Sequence, residues 1–279
     1  MWPWAANSSI SPITYRKAMR NDTGDAPKQE SDAINGRDWI LAVDTSTPEG
    51  GVALFHLYTK KVRTKRLPAG IRTSRILLPA IRDLMREANA REESIAAVGV
   101  ALGPGSFTGL RIGLATAKGL VIGLRCPLFG ISSLDALADA ALRSWLNEGG
   151  TLPEWVLPCR DARNGELFSA LYKPAKVQPD GAPTAVRAGE DILSRRNFLP
   201  LPENGKILIV AAEKDFPVGI IDGDSGSRIL HRGVTISPES VARLAWQAMT
   251  QGRSSAVADL QPIYGRKPRA ETLWPSFET

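Results

Sequence analysis

The sequence predicts an α/β protein with two lobes, in which mixed sheets are flanked by helices. Short apolar runs, such as residues 39–43 and 95–102, have the length and composition of buried strands. Longer segments with apolar residues three and four positions apart alternate with these runs, as is typical of helices that cover a sheet. The alternation occurs in both halves of the chain, so we expect two lobes related by duplication.

The first half is expected to form an antiparallel meander followed by helices and further strands. Strands are predicted at residues 39–43, 52–58, 62–67, 95–102 and 127–131, and helices at 74–89, 108–124 and 133–147. Pro79 lacks the amide hydrogen that an interior helical position needs, so the first helix is expected to begin later than Ser74 or to bend. Ser132 is predicted to cap the third helix, with Asp135 as its capping-box partner.

The second half repeats the alternation more loosely. Strands are predicted at residues 155–159, 166–172 and 206–211, and the polar, proline-rich stretch 173–204 has no clear pattern. Ser237, followed by Pro238 at the first helical position, is predicted to start a last helix that ends at Gly252.

Three regions are expected along the chain. Residues 1–37 show no sustained periodicity and are predicted to be disordered, residues 38–131 to form the N-terminal lobe with a partner interface, and residues 132–279 a smaller, degenerate C-terminal lobe with a basic tail. The first 20 residues hold three basic and no acidic side chains and lack the apolar core of a secretory signal. Either a targeting segment or a true start at Met19 would explain them.

The composition is that of a soluble protein from a reducing compartment. Cys126 and Cys159 are too few for a disulfide framework, and the longest apolar stretch, residues 112–124, is too short to span a bilayer. The net charge of +6 favours contact with a polyanion. Five basic side chains lie close together on the second predicted hairpin, either as a solvated surface or as a contact for the phosphates of tRNA or of a nucleotide: Lys60, Lys61, Arg63, Lys65 and Arg66.

Two polar segments follow buried strands and are candidates for nucleotide or phosphate binding. One is the turn after the first strand, and the other is the glycine-rich loop 103–109, whose amides and helix N-terminus favour an anion. The candidate residues are Asp44, Thr45, Ser46, Gly103, Gly105, Ser106, Thr108 and Arg111. The alternatives are an Asx-turn at Asp44 and a tight strand-to-helix turn with structural glycines.

The segment GPGSFTGLRIG at 103–113, continued by LATAKGL, resembles the signature of the TsaB family. Segments 44–47, 77–79, 161–166 and 262–266 are similar to the family's other landmarks and occur in the same order. The resemblance implies an actin-like (ASKHA, ribonuclease H-like) fold. It also implies a cytoplasmic, non-catalytic subunit that dimerises with a TsaD-type catalytic subunit and works with a TsaE-type ATPase. The complex forms N6-threonylcarbamoyladenosine (t6A) at position 37 of tRNA, which is bound through the complex.

No catalytic residue and no metal ligand is assigned to this chain. Catalytic relatives of the TsaD type carry a pair of metal-binding histidines where Ser133 and Leu137 stand here, and neither side chain can replace a histidine ligand. Thr73 stands where the family commonly has a histidine. The resemblance leaves ATP or ADP open at an interface of the complex, and a homodimer open for the isolated chain.

The partner interface is expected on two helices of the N-terminal lobe. Gly109, Gly113 and Ala117 lie four positions apart and form a nearly bare stripe against which another helix could pack closely. The preceding helix contributes an apolar face with Leu77, Leu78, Ile81 and Met85. The alternative is that both faces are buried against the sheet of this chain.

Two other classes of function are alternatives to the subunit role. A free-standing enzyme would be an actin-fold phosphotransferase with Asp44 and Asp161, or a metallopeptidase, but a second phosphate motif and a set of metal ligands are missing from the sequence. A nucleotide-binding regulator is compatible with Asp44 and the 103–109 loop.

Overall fold

The computed structural model describes residues 36–176, 183–195, 202, 205–212, 228–253 and 256–265. The predictions for nearly all of the N-terminal segment and for the basic tail therefore fall outside the described residues.

The first sheet combines an antiparallel meander with parallel strands. Its strands are β1 (Trp39–Asp44), β2 (Gly51–His56), β3 (Val62–Arg66), β4 (Ile95–Gly103) and β5 (Leu128–Ser132), in the order β3-β2-β1-β4-β5. β3, β2 and β1 are antiparallel, whereas β1, β4 and β5 are parallel. The connections contain helices α1 (Thr73–Glu87) and α2 (Phe107–Leu124).

The second sheet repeats this plan. After α3 (Ser133–Asn147) come β6 (Trp155–Arg163), β7 (Glu166–Ser169), β8 (Tyr172–Lys176), β9 (Pro183–Arg187), β10 (Ile192–Arg195), β11 (Ile207–Ala211) and β12 (Arg228–Arg232). The order β10-β7-β6-β11-β12 has the directions of the first sheet, antiparallel on one side of β6 and parallel on the other. The β8–β9 hairpin is an addition that pairs with β6. Two sheets of one topology confirm the predicted pair of related lobes.

Both faces of the central strands β1, β2 and β4 are buried, whereas the edge strand β3 is polar and largely exposed. Side chains of successive strand residues point to opposite sides of the sheet. On β1, Leu41 and Val43 join the cluster under α1 and α2, while Ile40 and Ala42 join the cluster under α3 and α4 (Pro238–Thr250). The strands therefore contain continuous apolar runs rather than a polar alternation.

The C-terminal part of the chain returns to the first lobe. The Trp246 ring of α4 packs 5.2 Å from the ring of Phe55, and a Cβ at Gly99 would lie only 2.9 Å from that of Ala245. Beyond α4, the Ile263 amide donates to the Leu102 carbonyl at 2.7 Å. The predicted boundary at residue 131/132 is therefore not a packing boundary, because residues 238–265 complete the first lobe.

Most predicted elements are confirmed, and the exceptions are local. α1 begins at Thr73 and continues through Pro79, so the later start is wrong. The predicted strand 166–172 is divided between β7 and β8, β9 and β10 lie in the unassigned stretch, and β12 was not predicted. Each of these segments is short and partly polar, so its periodicity is weak.

Both predicted serine caps are confirmed, but the capping box is wrong. Ser132 Oγ accepts from the Leu134 amide and Ser237 Oγ accepts from the Glu239 amide, both at 3.2 Å. Asp135 instead accepts from the Tyr172 hydroxyl at 2.6 Å and from the Arg187 guanidinium. Asp135 thus ties α3 to the β8–β9 hairpin rather than closing its own first turn.

Among the described residues, α2 is the one helix with the length and apolar composition of a membrane span. α2 begins at Phe107, five residues before the apolar stretch 112–124 that the sequence analysis considered too short to span a bilayer. The extra residues give the helix the length of a span. Core helices of soluble proteins pass the same test. One side of α2 packs on the first sheet through Leu110, Leu114 and Val121.

Candidate functional site

The turn after β1 is fully enclosed. Asp44, Thr45 and Ser46 are all buried, and Asp44 Oδ1 accepts from the Ser46 amide at 2.9 Å. This hydrogen bond forms the Asx-turn that the sequence offered as an alternative to phosphate binding. The other carboxyl oxygen, Oδ2, has no hydrogen-bond partner among the described atoms.

Two of the four glycines of α2, Gly109 and Gly113, lie directly against this turn. A Cβ at Gly109 would be 2.0 Å from the Thr45 carbonyl oxygen, and one at Gly113 would be 2.1 Å from Thr45 Oγ1. Thr45 Oγ1 also donates to the Gly109 carbonyl at 2.7 Å. Any side chain at these two positions would push the end of β1 away from α2.

The glycine-rich loop before α2 is held in the same way. A Cβ at Gly105 would be 2.6 Å from the Ser46 carbonyl oxygen, and one at Gly103, where φ is +116°, would be 2.2 Å from the Ile263 carbonyl oxygen. The Ser106 amide donates to the Ser46 carbonyl at 2.8 Å, and the Gly109 amide donates to Ser106 Oγ at 3.2 Å. These amides, which the sequence assigned to a phosphate, thus have partners within the chain, and the structural alternative explains the glycines.

Arg160 connects the two lobes at this point. It extends from β6 of the second sheet, and its Nη1 donates to the Pro104 carbonyl at 2.6 Å and to Ser46 Oγ at 3.3 Å. Its Nη2 donates to the Ser46 carbonyl at 3.2 Å. Sequence reasoning missed Arg160, and its only signal was its place directly before the 161–166 landmark. The guanidinium thus binds atoms of both segments that the sequence proposed for phosphate binding, the turn and the glycine-rich loop.

Burial favours the neutral form of the Asp44 carboxyl group. Burial raises the pKa of Asp44 above its ordinary value of 3.8, because the charged form loses hydration. The Ser46 hydrogen bonds and the positive charge of Arg160 act in the opposite direction but do not cancel the effect of burial.

The remaining phosphate candidates lie apart from this turn. Thr108 is exposed. The guanidinium of Arg111 stacks 3.9 Å from the Phe107 ring centre, and Arg111 Nε donates to the Tyr264 hydroxyl at 2.8 Å. Arg111 thus binds the C-terminal segment.

The predicted basic cluster is divided by the structure. The Lys60 ammonium lies 3.8 Å from the Trp246 ring centre, and Lys65 pairs with Glu87 of α1 at 2.9 Å. The other three side chains are exposed: Lys61, Arg63 and Arg66. Contact of this cluster with tRNA stays a prediction.

Five of the seven predicted interface residues pack inside this chain, which corrects their assignment. These buried residues are Leu77, Ile81, Gly109, Gly113 and Ala117. The bare stripe faces the Thr45–Ser46 turn, and only Leu78, with 53% of its surface exposed, and the half-buried Met85 are accessible. A second stripe of small residues, spaced four positions apart, lies on the exposed side of α2 and consists of Ala115, Gly119 and Gly123.

The positions of the metal ligands in TsaD-type relatives are buried here. Ser133 and Leu137 lie in the first turns of α3. In the described part of the chain, no group of three His, Cys, Asp or Glu side chains could hold a metal ion. Burial raises the pKa of Cys126 to about 11 and that of Cys159 to about 12, so neither forms a thiolate at neutral pH.

Comparison with known proteins identifies the family. The family model for TsaD, tRNA N6-adenosine threonylcarbamoyltransferase, matches residues 69–227. The tRNA threonylcarbamoyladenosine biosynthesis protein TsaB of Escherichia coli is 31% identical over 243 residues, which cover 86% of this chain and 99% of that protein. The chain belongs to the TsaB family. The TsaB of Bacillus subtilis is 32% identical over 143 residues, covering 48% of this chain and 55% of that protein.

A solved structure extends the TsaB assignment to the fold. An uncharacterized protein of Pseudomonas aeruginosa, described as similar to the peptidase YEAZ, superposes with a TM-score of 0.67 at 25% identity. The match covers 82% of this chain and all of that chain. The two-lobed architecture is therefore the actin-like fold that the TsaB resemblance implied.

The inward and outward glycines of α2 allow a matched test. We expect Gly113→Ala to destabilise the protein by about 1–3 kcal/mol, because the new methyl group overlaps Thr45 Oγ1. Gly123→Ala, for which nothing lies within 4 Å of the added Cβ, should instead stabilise the helix by about 0.5–1 kcal/mol. Urea denaturation of both variants measures the difference, and equal effects would contradict the packing of the turn on α2.

A second prediction concerns the pH dependence of stability. Because the pKa of Asp44 is raised on folding, this carboxyl stabilises the protein fully below its unfolded pKa of 3.8 and loses this contribution as pH rises through the folded pKa. Asn cannot titrate. We therefore expect the unfolding free energy of Asp44→Asn, relative to the wild type, to increase as the pH rises from 3.8 through the raised folded-state pKa of Asp44.

Urea denaturation at several pH values measures this difference, and Asp259→Asn, at an exposed carboxyl, serves as the control. A difference that stayed constant with pH, or that fell, would contradict the raised pKa.

Proposed function

We propose that this chain is a non-catalytic subunit required for t6A formation on tRNA, and that it dimerises with a TsaD-type catalytic subunit. Membership of the TsaB family supports a role in t6A formation, because three relatives are named as proteins of tRNA threonylcarbamoyladenosine biosynthesis. The observation that carries the subunit role is the exposed apolar surface on α1 and α2.

This surface, which we call the α1–α2 face, is defined by Leu78 and Met85 of α1 and by Ala115, Gly119 and Ile122 of α2. Ile122 is 73% exposed and Leu78 53% exposed. No Cβ contact exists at Gly119, so another helix could approach α2 closely there. An apolar patch on two adjacent helices is a typical site of protein association.

The proposed division of labour follows the TsaB resemblance. We assign transfer of the threonylcarbamoyl group to the TsaD-type partner. ATP hydrolysis is assigned to a TsaE-type ATPase. We expect tRNA to bind through the assembled complex in the cytoplasm, with the exposed side chains of Lys61, Arg63 and Arg66 as candidate phosphate contacts.

We also propose that the isolated chain holds no nucleotide between its lobes. The Arg160 guanidinium already donates to Ser46 and to the Pro104 carbonyl there, and the Ser106 amide is engaged with Ser46. A phosphate group would have to displace these internal partners, which leaves any ATP or ADP of the complex to an interface between subunits.

Replacing Leu78 tests the subunit role. We expect Leu78→Glu to abolish a complex with the TsaD-type subunit, because a carboxylate would be desolvated in the apolar contact. Size-exclusion chromatography of the mixed subunits measures association, and t6A formation on tRNA should be lost with it. The unfolding free energy of the isolated variant should change by only about 0.5 kcal/mol, as for other surface sites.

Leu152→Glu is the matched control, because Leu152 is 55% exposed but lies after α3, outside the α1–α2 face. It should leave the complex intact. Unfolding of the Leu78 variant in step with the loss of binding would contradict the assignment, as would a complex that both variants form equally well.

Replacing Arg160 tests the occupied cleft. Calorimetric titration of the wild type with MgATP should show no binding, and micromolar affinity would contradict the proposal. In Arg160→Ala the Ser106 amide should exchange faster with deuterium, because its acceptor Ser46 loses the guanidinium contacts. Arg253→Ala, which removes an exposed side chain at the end of α4, should leave this exchange rate unchanged.

A further inference from the structure

The exposed side of α1 carries a row of arginines beside the apolar α1–α2 face. Arg75, Arg82 and Arg86 are all exposed. Their spacings of seven and four residues place them on one side of the helix. Leu78 follows Arg75 by about one turn and precedes Arg82 by about one turn, so an exposed apolar side chain lies between two guanidinium groups.

The acidic residues of α1 do not neutralise this row. Asp83 and Glu87 both pair with Lys65 of β3, at 3.5 and 2.9 Å. Asp83 additionally accepts from Arg86 at 3.3 Å. Within the described residues, neither Arg75 nor Arg82 forms an ion pair. Both carboxylates of the helix thus pair with Lys65, and of the three arginines only Arg86 shares one of them.

The charge around the α1–α2 face is correspondingly one-sided. α1 with Lys65 and Arg72 contains five basic and two acidic side chains. α2 contains Arg111 and Lys118 and no acidic side chain. The whole chain has 35 basic and 29 acidic residues, so this excess is a local property of the surface.

From this arrangement we infer that the α1–α2 face binds a protein partner whose contacting surface is acidic where it meets α1. The inference rests on the proposed function and adds the chemistry of the partner. Arginines that surround an exposed leucine are typical of protein interfaces, in which Arg and apolar anchors are enriched. A surface that only followed RNA phosphates would not require Leu78 and Ile122 to be exposed between the charges.

Electrostatic complementarity makes association dependent on salt and on the sign of these charges. The double variant Arg75→Glu/Arg82→Glu should bind the TsaD-type subunit at least about ten-fold more weakly, chiefly through a slower association rate. Raising NaCl from about 50 mM to about 500 mM should weaken wild-type binding and affect the double variant much less. Folding should be unchanged, because both side chains are exposed and form no ion pair with any described residue.

The experiment is surface plasmon resonance with the purified full chain and the TsaD-type subunit at both salt concentrations. Arg253→Glu is the matched charge reversal, because α4 packs on the opposite face of the first sheet. It should leave affinity and salt dependence as in the wild type.

The outcomes separate the two proposals. A complex that is insensitive to both salt and the double reversal would overturn the acidic partner surface and leave the proposed function standing. Complete absence of a wild-type complex would overturn the proposed function and this inference with it. Binding of unmodified tRNA by the isolated chain, lost in the double variant while subunit affinity is unchanged, would assign the arginine row to RNA and overturn the inference.

Discussion

The close approach of the Thr45–Ser46 turn to helix α2 is the contact on which the other features of this protein depend. Gly105, Gly109 and Gly113 have no Cβ, and the backbone and hydroxyl atoms of the turn occupy that space. The turn, the loop and the helix therefore form one close-packed unit, in which added volume is costly. Arg160 then attaches the second lobe to this unit through Ser46 and Pro104. The geometry between the lobes is thus set by the chain's own atoms.

This packing also decides which side of α2 faces outward. The inward side is committed to the first sheet and to the turn, so Ala115, Gly119 and Ile122 are left at the surface. A helix that is apolar on both sides is unusual for a surface position unless something covers it. The exposed apolar side of α2 therefore lies on the outside of the first lobe, the surface that we propose for association.

Much of the fold could be predicted from the sequence because its signals are local. Apolar runs located the central strands, and Ser132 and Ser237 with Pro238 located two helix starts. The site was harder to predict. Two stripes with a spacing of four occur on α2, and periodicity alone does not tell which one faces the sheet. Arg160 contacts Ser46 across 114 positions of sequence, and nothing in the local pattern around an arginine in a strand indicates such a partner. The sequence suggested that the glycine-rich loop binds a phosphate, whereas its glycines make room for another part of the same chain.

The two lobes share one strand order, yet their present roles differ for a physical reason. In the first lobe, one side of α2 packs on the Thr45–Ser46 turn, and its other side forms part of the exposed α1–α2 face. The burial of the turn and the exposure of that face therefore depend on the same helix. In the second lobe the β8–β9 hairpin packs beside α3, and Asp135, Tyr172 and Arg187 join them through buried and half-buried polar contacts. That network lies beside the start of α3, where Ser133 and Leu137 are enclosed. Among the described residues, Arg160 thus joins the two lobes and α3 is enclosed, whereas the outer side of the first lobe carries the exposed apolar side chains of α1 and α2.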